Sequence, residues 1–318
     1  MERRSGFARE TTGNAPVVRR AMRQTLPRVG IIATSFLLVG CGGRGLSSYR
    51  GTEVPVSRQA DAEMVTVSSG VYISGSTSES RETAYRTYEQ TAGHNAARRN
   101  RWFDREEPQT KRSVPSFLID RTPVTVAAYA EFVADTGALP PSIDEEMWKK
   151  QGFVQDYQDE VAPLTWKSKT PPANLMNHPV VLVTHEEARA YCHWRGTVVG
   201  SKRTLPSQHE FEKASRGPNG NRYPFGDTYD SDLLHDAHTT IRSTVPVGQY
   251  PRGASFYGVL GLSGNVFHWT RDVFDKDRAV VKGSAWDDFG GVGRGAARHG
   301  RRYWVRHVLV GFRCAGPE

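Results

Sequence analysis

GLSGNVFHWTRDV (residues 261–273), VVKGSAWDD (residues 280–288) and GFRCA (residues 311–315) set the frame for this chain. Short apolar runs are cut by Gly and punctuated by Trp269 and Trp286, so the C-terminal part reads as short strands without a long helix. The residues between Trp286 and Gly311 then decide function. A reactive centre there makes an enzyme; a mixed aromatic and charged surface makes a binding protein.

Composition points the same way. Only 37% of the 318 residues are hydrophobic, while Gly (31), Trp (7) and Tyr (12) are plentiful, which suits a loop-rich, aromatic-pinned fold better than a helical bundle. The net charge of +8 raises nucleic acid as a partner, but residues 1–40 hold seven Arg against Glu2 and Glu10. Five of the eight positive charges therefore sit in the leader, and the expectation is no nucleic-acid partner.

Arg19, Arg20, Arg23 and Arg28 precede the apolar run VGIIATSFLLVG (residues 29–40), which is too short to cross a bilayer as a helix and fits a secretory signal. Leu38-Val39-Gly40-Cys41 resembles the bacterial lipobox, in which the cysteine is lipidated. Arg19-Arg20 also allows a twin-arginine signal, and Met22 competes with Met1 as the start. Gly42 and Gly43 follow the cysteine with no Asp, which favours the outer over the inner membrane. The expected organisation is a lipoprotein signal peptide over 1–40, a polar tether over 41–62 and one domain over 63–318. Once exported, Cys192 and Cys314 either bridge or remain two buried thiols.

Within the domain, MVTVSSGVYISGS (residues 64–76) predicts a strand pair turning at Ser68-Ser69-Gly70. Residues 77–113, including AARRNRWFDREE (residues 96–107), read as a solvated loop or insertion rather than a basic-aromatic groove. SFLID (residues 116–120) is a strand, and Thr125 caps a helix with Tyr129, Phe132 and Val133 on one face and Gly137 at its end. Residues 139–176 form an irregular Pro- and Trp-rich loop. Capping boxes at Thr184–Glu187 and Ser207–Glu210 start two further helices, the second stopped by Gly217.

These segments occur in order as FLIDRTPVTVAAYAEFV (117–133), PVVLVTHEEARAYCHW (179–194), RTLPSQHEFEKASRG (203–217), YPFGD (223–227), PVGQYPRG (246–253), GLSGNVFHWTRD (261–272), VVKGSAW (280–286) and GFRCA (311–315). Together they resemble the formylglycine-generating enzyme, or sulfatase-modifying factor, family from about Met64 to the C-terminus. The resemblance implies a C-type-lectin-like α+β fold, rich in irregular structure, and a bridge between Cys192 and Cys314.

The family's chemistry is not carried by these residues. Members that oxidise a sulfatase cysteine are similar in having two cysteines after the Trp-containing motif, which bind copper and activate oxygen. Those positions fall here at about Asp287 and Val292, and no cysteine lies between Cys192 and Cys314. A related branch uses a mononuclear iron held by a histidine triad from another domain; only His235-Asp236-Ala237-His238 has suggestive spacing, and such pairs are commonly surface residues. A calcium site in relatives uses a glutamate where this chain has His268. Asn265 with the carbonyls of Gly264 and Val266 remains as a weakened calcium candidate. Ser263 lacks the G-x-S-x-G frame of a nucleophile elbow. No catalytic residue is assigned; a periplasmic oxidoreductase with a non-cysteine, metal-dependent mechanism is the alternative.

What remains is a contact surface made of Trp286, Asp287, Asp288, Phe289, Arg294, Arg298, His299, Arg301, Tyr303, Trp304, Arg306 and His307, with residue types that dominate hot spots. Arg294 and Arg298 also suit a structural role, tethering loop carbonyls. The expected protein is a cell-envelope lipoprotein, held to the membrane through lipid on Cys41, that binds a protein or other ligand. Two kinds of relative frame that role: partners acting upstream of a membrane threonine kinase that controls type VI secretion, and lipoproteins whose ligand sites are diversified by retroelements.

Overall fold

The computed structural model describes residues 54–318; the expected signal peptide, Cys41 and the first part of the expected tether lie outside the described residues. Along the chain come α1 (Val56–Ala62), β1 (Val65–Val67), β2 (Gly70–Ser74), α2 (Ser78–Ala92), α3 (Ala96–Arg99), β3 (Thr110–Val114), β4 (Phe117–Ile119), α4 (Val126–Thr136) and α5 (Glu145–Gln151). After a long connection follow α6 (His185–Val199), α7 (Gln208–Arg216), β5 (Phe267–Asp275), β6 (Arg278–Lys282), β7 (His299–Arg302), β8 (Val310–Gly311) and β9 (Ala315–Gly316). The fold is α+β with much irregular structure.

Side-chain caps start α2 and α4 to α7 because their first N–H groups have no partner inside the helix. The Thr125 hydroxyl accepts from the Ala128 N–H, and Gly137 ends α4 at φ +73°. Thr184 with Glu187, and Ser207 with Glu210, form complete capping boxes on α6 and α7. The strands form three sheets: β1-β4-β9, β2-β3, and β7-β6-β5-β8, in which β8 runs parallel to β5.

Four expectations are corrected. β1 and β2 are strands but do not form a hairpin: β1 pairs with β4, with Val65 opposite Ile119, and β2 pairs with β3, with Tyr72 opposite Arg112. Residues 77–113 are not a solvated loop, since α2 buries Ala84, Tyr85 and Tyr88 and Phe103 is inside the core. The irregular stretch 139–176 holds α5, capped by Asp144, with Trp148 buried. Residues 56–62, expected in the tether, instead form α1, which docks on the domain. Its Val56 and Ser57 N–H groups donate to the Glu131 carboxylate at 2.6 and 2.9 Å, and Asp61 is drawn into a buried ion network.

In that network Arg195, 0% exposed, donates to both oxygens of Asp120 at 3.1 and 2.7 Å. Asp120 also accepts from the Cys314 N–H at 2.7 Å, and Asp61 takes a two-pronged contact from Arg203 at 2.7 and 2.8 Å. Cys192 on α6 is bridged to Cys314 ahead of β9, as the resemblance implies. Arg313, fully buried, donates to the carbonyls of Asp120, Leu260 and Gly261, so one guanidinium ties the GFRCA segment to two loops. Around these ties lie Trp148, Trp269 and Trp286, all fully buried. The Trp269 indole N–H reaches the Val183 carbonyl at 3.1 Å, so its apolar body fills the core without leaving a polar atom unanswered.

A cleft of unpaired arginines

Beside the β5-β6-β7 sheet, the turn after α3 encloses a cleft of about 620 Å³. Asn100, Arg101, Trp102, Asp104 and Arg105 form one wall; Phe267 and Phe274 of β5, Arg278 of β6, Asp288, Arg298 and residues 299–301 of β7 form the others. Gly300 makes this geometry possible, because a Cβ there would lie 2.5 Å from the Phe274 ring. Three guanidinium groups surround that ring, with Arg105, Arg278 and Arg298 at 5.8, 5.0 and 5.2 Å from its centroid. Arg301 lies 5.7 Å from the Phe267 centroid, and the His299 ring meets Phe267 at 5.3 Å.

The charges are only partly answered. Arg101 pairs with Asp104 at 2.6 Å, Arg278 with Asp275, and Arg298 approaches Glu107 at 3.6 Å. Among the described residues neither Arg105 nor Arg301 forms an ion pair. The buried Nε of Arg298, Nε2 of His299 and Nε of Arg301 have no hydrogen-bond partner there. Burial, then the nearby Arg301, pushes the His299 imidazole down to about 3, so it is neutral at ordinary pH. Burial and the neighbouring Asp287 push the Asp288 carboxyl well above its usual range, and burial raises Asp287 as well. Asp287 accepts from Gln155 at 2.8 Å, and Asp288 accepts from the Ala285 N–H at 2.9 Å.

The expected contact surface therefore divides. Asp288, Arg298, His299 and Arg301 come together in the cleft. Trp286 is buried beneath Arg242, whose guanidinium lies 4.9 Å from the indole. Phe289 packs edge-on against Tyr88 at 5.9 Å. Arg294 is buried against Glu106 and donates to the Gly291 carbonyl at 2.9 Å, the tethering role expected of it. Arg306 pairs with Glu187 and donates to the Leu182 carbonyl, His307 is buried beside Phe153, and Tyr303 meets His185 edge-on. These side chains hold the fold. Of the expected surface, Trp304 alone is an exposed aromatic, 54% accessible, with the Arg302 guanidinium 5.8 Å from its ring centroid.

Sequence reasoning missed the other wall. Arg101, Trp102 and Arg105 lie in the stretch read as solvated, and Phe274 and Arg278 were not singled out. The signal was present as the interleaved Arg and aromatic residues of RNRWFDR (residues 99–105), which suits a ligand groove.

The metal candidates do not fit. Cu(I) needs thiolates, and both cysteines of the described residues are in the bridge. Asn265 Oδ1 accepts from the Val245 N–H at 3.1 Å and the Gly264 carbonyl from the Val266 N–H at 2.9 Å, so two of the calcium oxygens already serve the turn. His268, in the carboxylate's place, is buried and neutral. His235 is buried rather than on the surface, with Nε2 facing the Ser243 carbonyl at 2.8 Å and Nδ1 facing Thr239 at 3.0 Å, while His238 contacts Tyr229 and Asp236. Among the described residues no group of three His, Cys, Asp or Glu side chains is placed to hold a metal ion.

A profile of the sulfatase-modifying factor enzyme 1-like domain matches residues 51–317. The chain belongs to this family. Its curated relatives include a hercynine oxygenase of Mycolicibacterium smegmatis, 29% identical over 248 residues, covering 67% of this chain and 56% of that protein. They also include the inactive C-alpha-formylglycine-generating enzyme 2 of Mus musculus, 27% identical over 252 residues, covering 67% of this chain and 79% of the relative. The chain thus spans little more than half of the oxygenase. The solved structure of PvdO from Pseudomonas aeruginosa shares the fold, with a TM-score of 0.61 at 18% identity over 80% of this chain and 94% of that one. The family therefore includes active and inactive members, and the side chains of this chain must distinguish between them.

Proposed function

We propose that this chain is an exported, lipid-anchored sulfatase-modifying-factor-like protein that acts by binding rather than by cysteine-dependent oxidation. The observation that carries the reading is the cleft. Asp287 and Val292 stand at about the positions where thiolates would be needed, and the adjoining walls present buried nitrogens of Arg298, His299 and Arg301 without partners. Unpaired buried donors are expensive unless something accepts from them, and a ligand does that. The inactive mouse relative supports a non-oxidase member of the family. Lipid on Cys41 would hold the domain at a membrane, with the outer membrane favoured by Gly42 and Gly43.

The test is recovery of envelope components on the full chain, comparing wild type with Arg298→Gln/Arg301→Gln and with Tyr303→Ala/Trp304→Ala. The cleft pair is expected to lose its ligand and the aromatic pair to keep it. Unchanged recovery by the cleft pair sinks this assignment. A bound redox metal with oxygen consumption would instead establish the oxidoreductase alternative, and an unmodified N-terminus by mass spectrometry would remove the lipoprotein. Genomic context separates the finer roles: a neighbouring kinase and secretion cluster for signalling, a near-repeat of the final coding stretch beside a reverse transcriptase for diversification.

A further inference from the structure

Resting on the reading of the cleft as a ligand site, we propose that its ligand is a small molecule carrying a dianionic phosphate group, held by Arg105, Arg298 and Arg301. Charge gives the first reason. Arg105 and Arg301 have no ion-pair partner among the described residues, whereas Arg101, Arg278 and Arg298 each face a carboxylate. Two uncompensated cations match a phosphate monoester, which carries roughly −1.5 to −2 at neutral pH.

Direction gives the second. Arg105 enters from the turn after α3, Arg278 from β6 and Arg298 from the approach to β7, so guanidinium groups reach the Phe274 ring from three parts of the chain. A planar carboxylate is satisfied by one guanidinium fork. A tetrahedral group with three terminal oxygens accepts from several at once. The unpartnered Nε atoms of Arg298 and Arg301 supply further donors. The one acidic side chain that lines the cleft without an ion-pair partner is Asp288, and burial with Asp287 beside it pushes its carboxyl well above the usual range, which lessens its repulsion of an incoming anion.

The experiment is calorimetric titration of the full chain in detergent with inorganic phosphate, glycerol 3-phosphate and succinate at one ionic strength. The two phosphates are expected to bind and succinate to bind at least about tenfold more weakly, as expected when charge-assisted donors are lost. Tighter binding of the ester assigns the ligand as a phosphate monoester; equal binding assigns free phosphate. Arg301→Gln is expected to weaken phosphate about tenfold or more, and Arg301→Lys, which keeps the charge and loses the fork, by less. Arg302→Gln, on the exposed side of β7, is expected to leave it unchanged. Urea midpoints establish that each variant is folded. Equal phosphate binding by wild type and Arg301→Gln overturns the proposal. Succinate binding through Arg301 without phosphate binding overturns the ligand class and leaves the cleft standing. Absence of all anion binding, with unchanged envelope recovery by the cleft variants, removes the cleft as well.

Discussion

Two groups of arginines sit about the same scaffold in opposite states. Behind the disulfide, Arg195, Arg203 and Arg313 meet Asp120, Asp61 and backbone carbonyls at hydrogen-bonding distance. In the cleft, Arg298 only approaches Glu107 at 3.6 Å and Arg301 donates only to the neighbouring Gly300 carbonyl at 3.3 Å, while an unpartnered buried Nε is common to both groups, on Arg195 and Arg313 as on Arg298 and Arg301. The same residue type fastens the fold where its geometry is closed and leaves it receptive where the geometry is open. Breaking a closed contact should therefore be costly, and removing an open one should cost little stability while abolishing binding.

The largest effect is expected at the centre of the closed group. Asp120→Asn leaves buried Arg195 with only the more distant Asp61, at 3.5 Å, as counter-charge and weakens the acceptor of the Cys314 N–H, a loss of roughly 3 kcal/mol in urea unfolding. A midpoint within error of wild type would show that the buried pair is replaceable and end the contrast. Next comes Cys192→Ser, since the bridge closes a separation of 122 residues and its removal is expected to lower stability by roughly 2–4 kcal/mol. Peptide mapping without reductant checks the bond directly, and free thiols at both positions would refute it.

Locally encoded features were legible in the sequence. Thr125, Thr184 and Ser207 cap helices through contacts made within three residues, so their spacing alone reveals them. The second helix was not legible because SESRETAYRTYEQTA is polar almost throughout and shows its role only when Ala84, Tyr85 and Tyr88 meet the core. Distance in sequence hid the site in the same way. Arg294 was open to either a ligand contact or a tether until Glu106, 188 residues earlier, closed on it, and Arg306 looked like a ligand contact until Glu187, 119 residues earlier, did so. The cleft's other wall comes from residues 100–105, whose aromatic and basic residues look solvated until β5 and β7 lie across from them.

The closed group should also set an acid limit. His268 Nε2 faces the Gly261 carbonyl at 2.9 Å, and burial with Arg313 beside it holds the imidazole's pKa well below its ordinary value. The unfolded chain therefore takes up the proton first, so this contribution is complete above the ordinary histidine range and is lost as pH falls below about 6.5. The loss accumulates at about 1.4 kcal/mol per pH unit until the folded state itself protonates. Urea midpoints from pH 7.5 to 5 should show a shallower slope for His268→Gln than for wild type, and parallel slopes would exclude the histidine as the cause.

The smallest effect should have the opposite sign. Arg301 is desolvated among Phe267, His299 and Asp288, and its Nε has no partner. Its guanidinium is held below its ordinary pKa by that burial. Arg301→Met keeps the length of the side chain and removes the unanswered donor, so stability is expected to be unchanged or to rise by about 1 kcal/mol. A rise accompanied by loss of phosphate binding means that the open arginines are retained for a ligand at the expense of the fold. A fall of several kcal/mol, comparable with Asp120→Asn, would mean that Arg301 is also a closed tie, and the division between the two groups would fail at the residue on which it most depends.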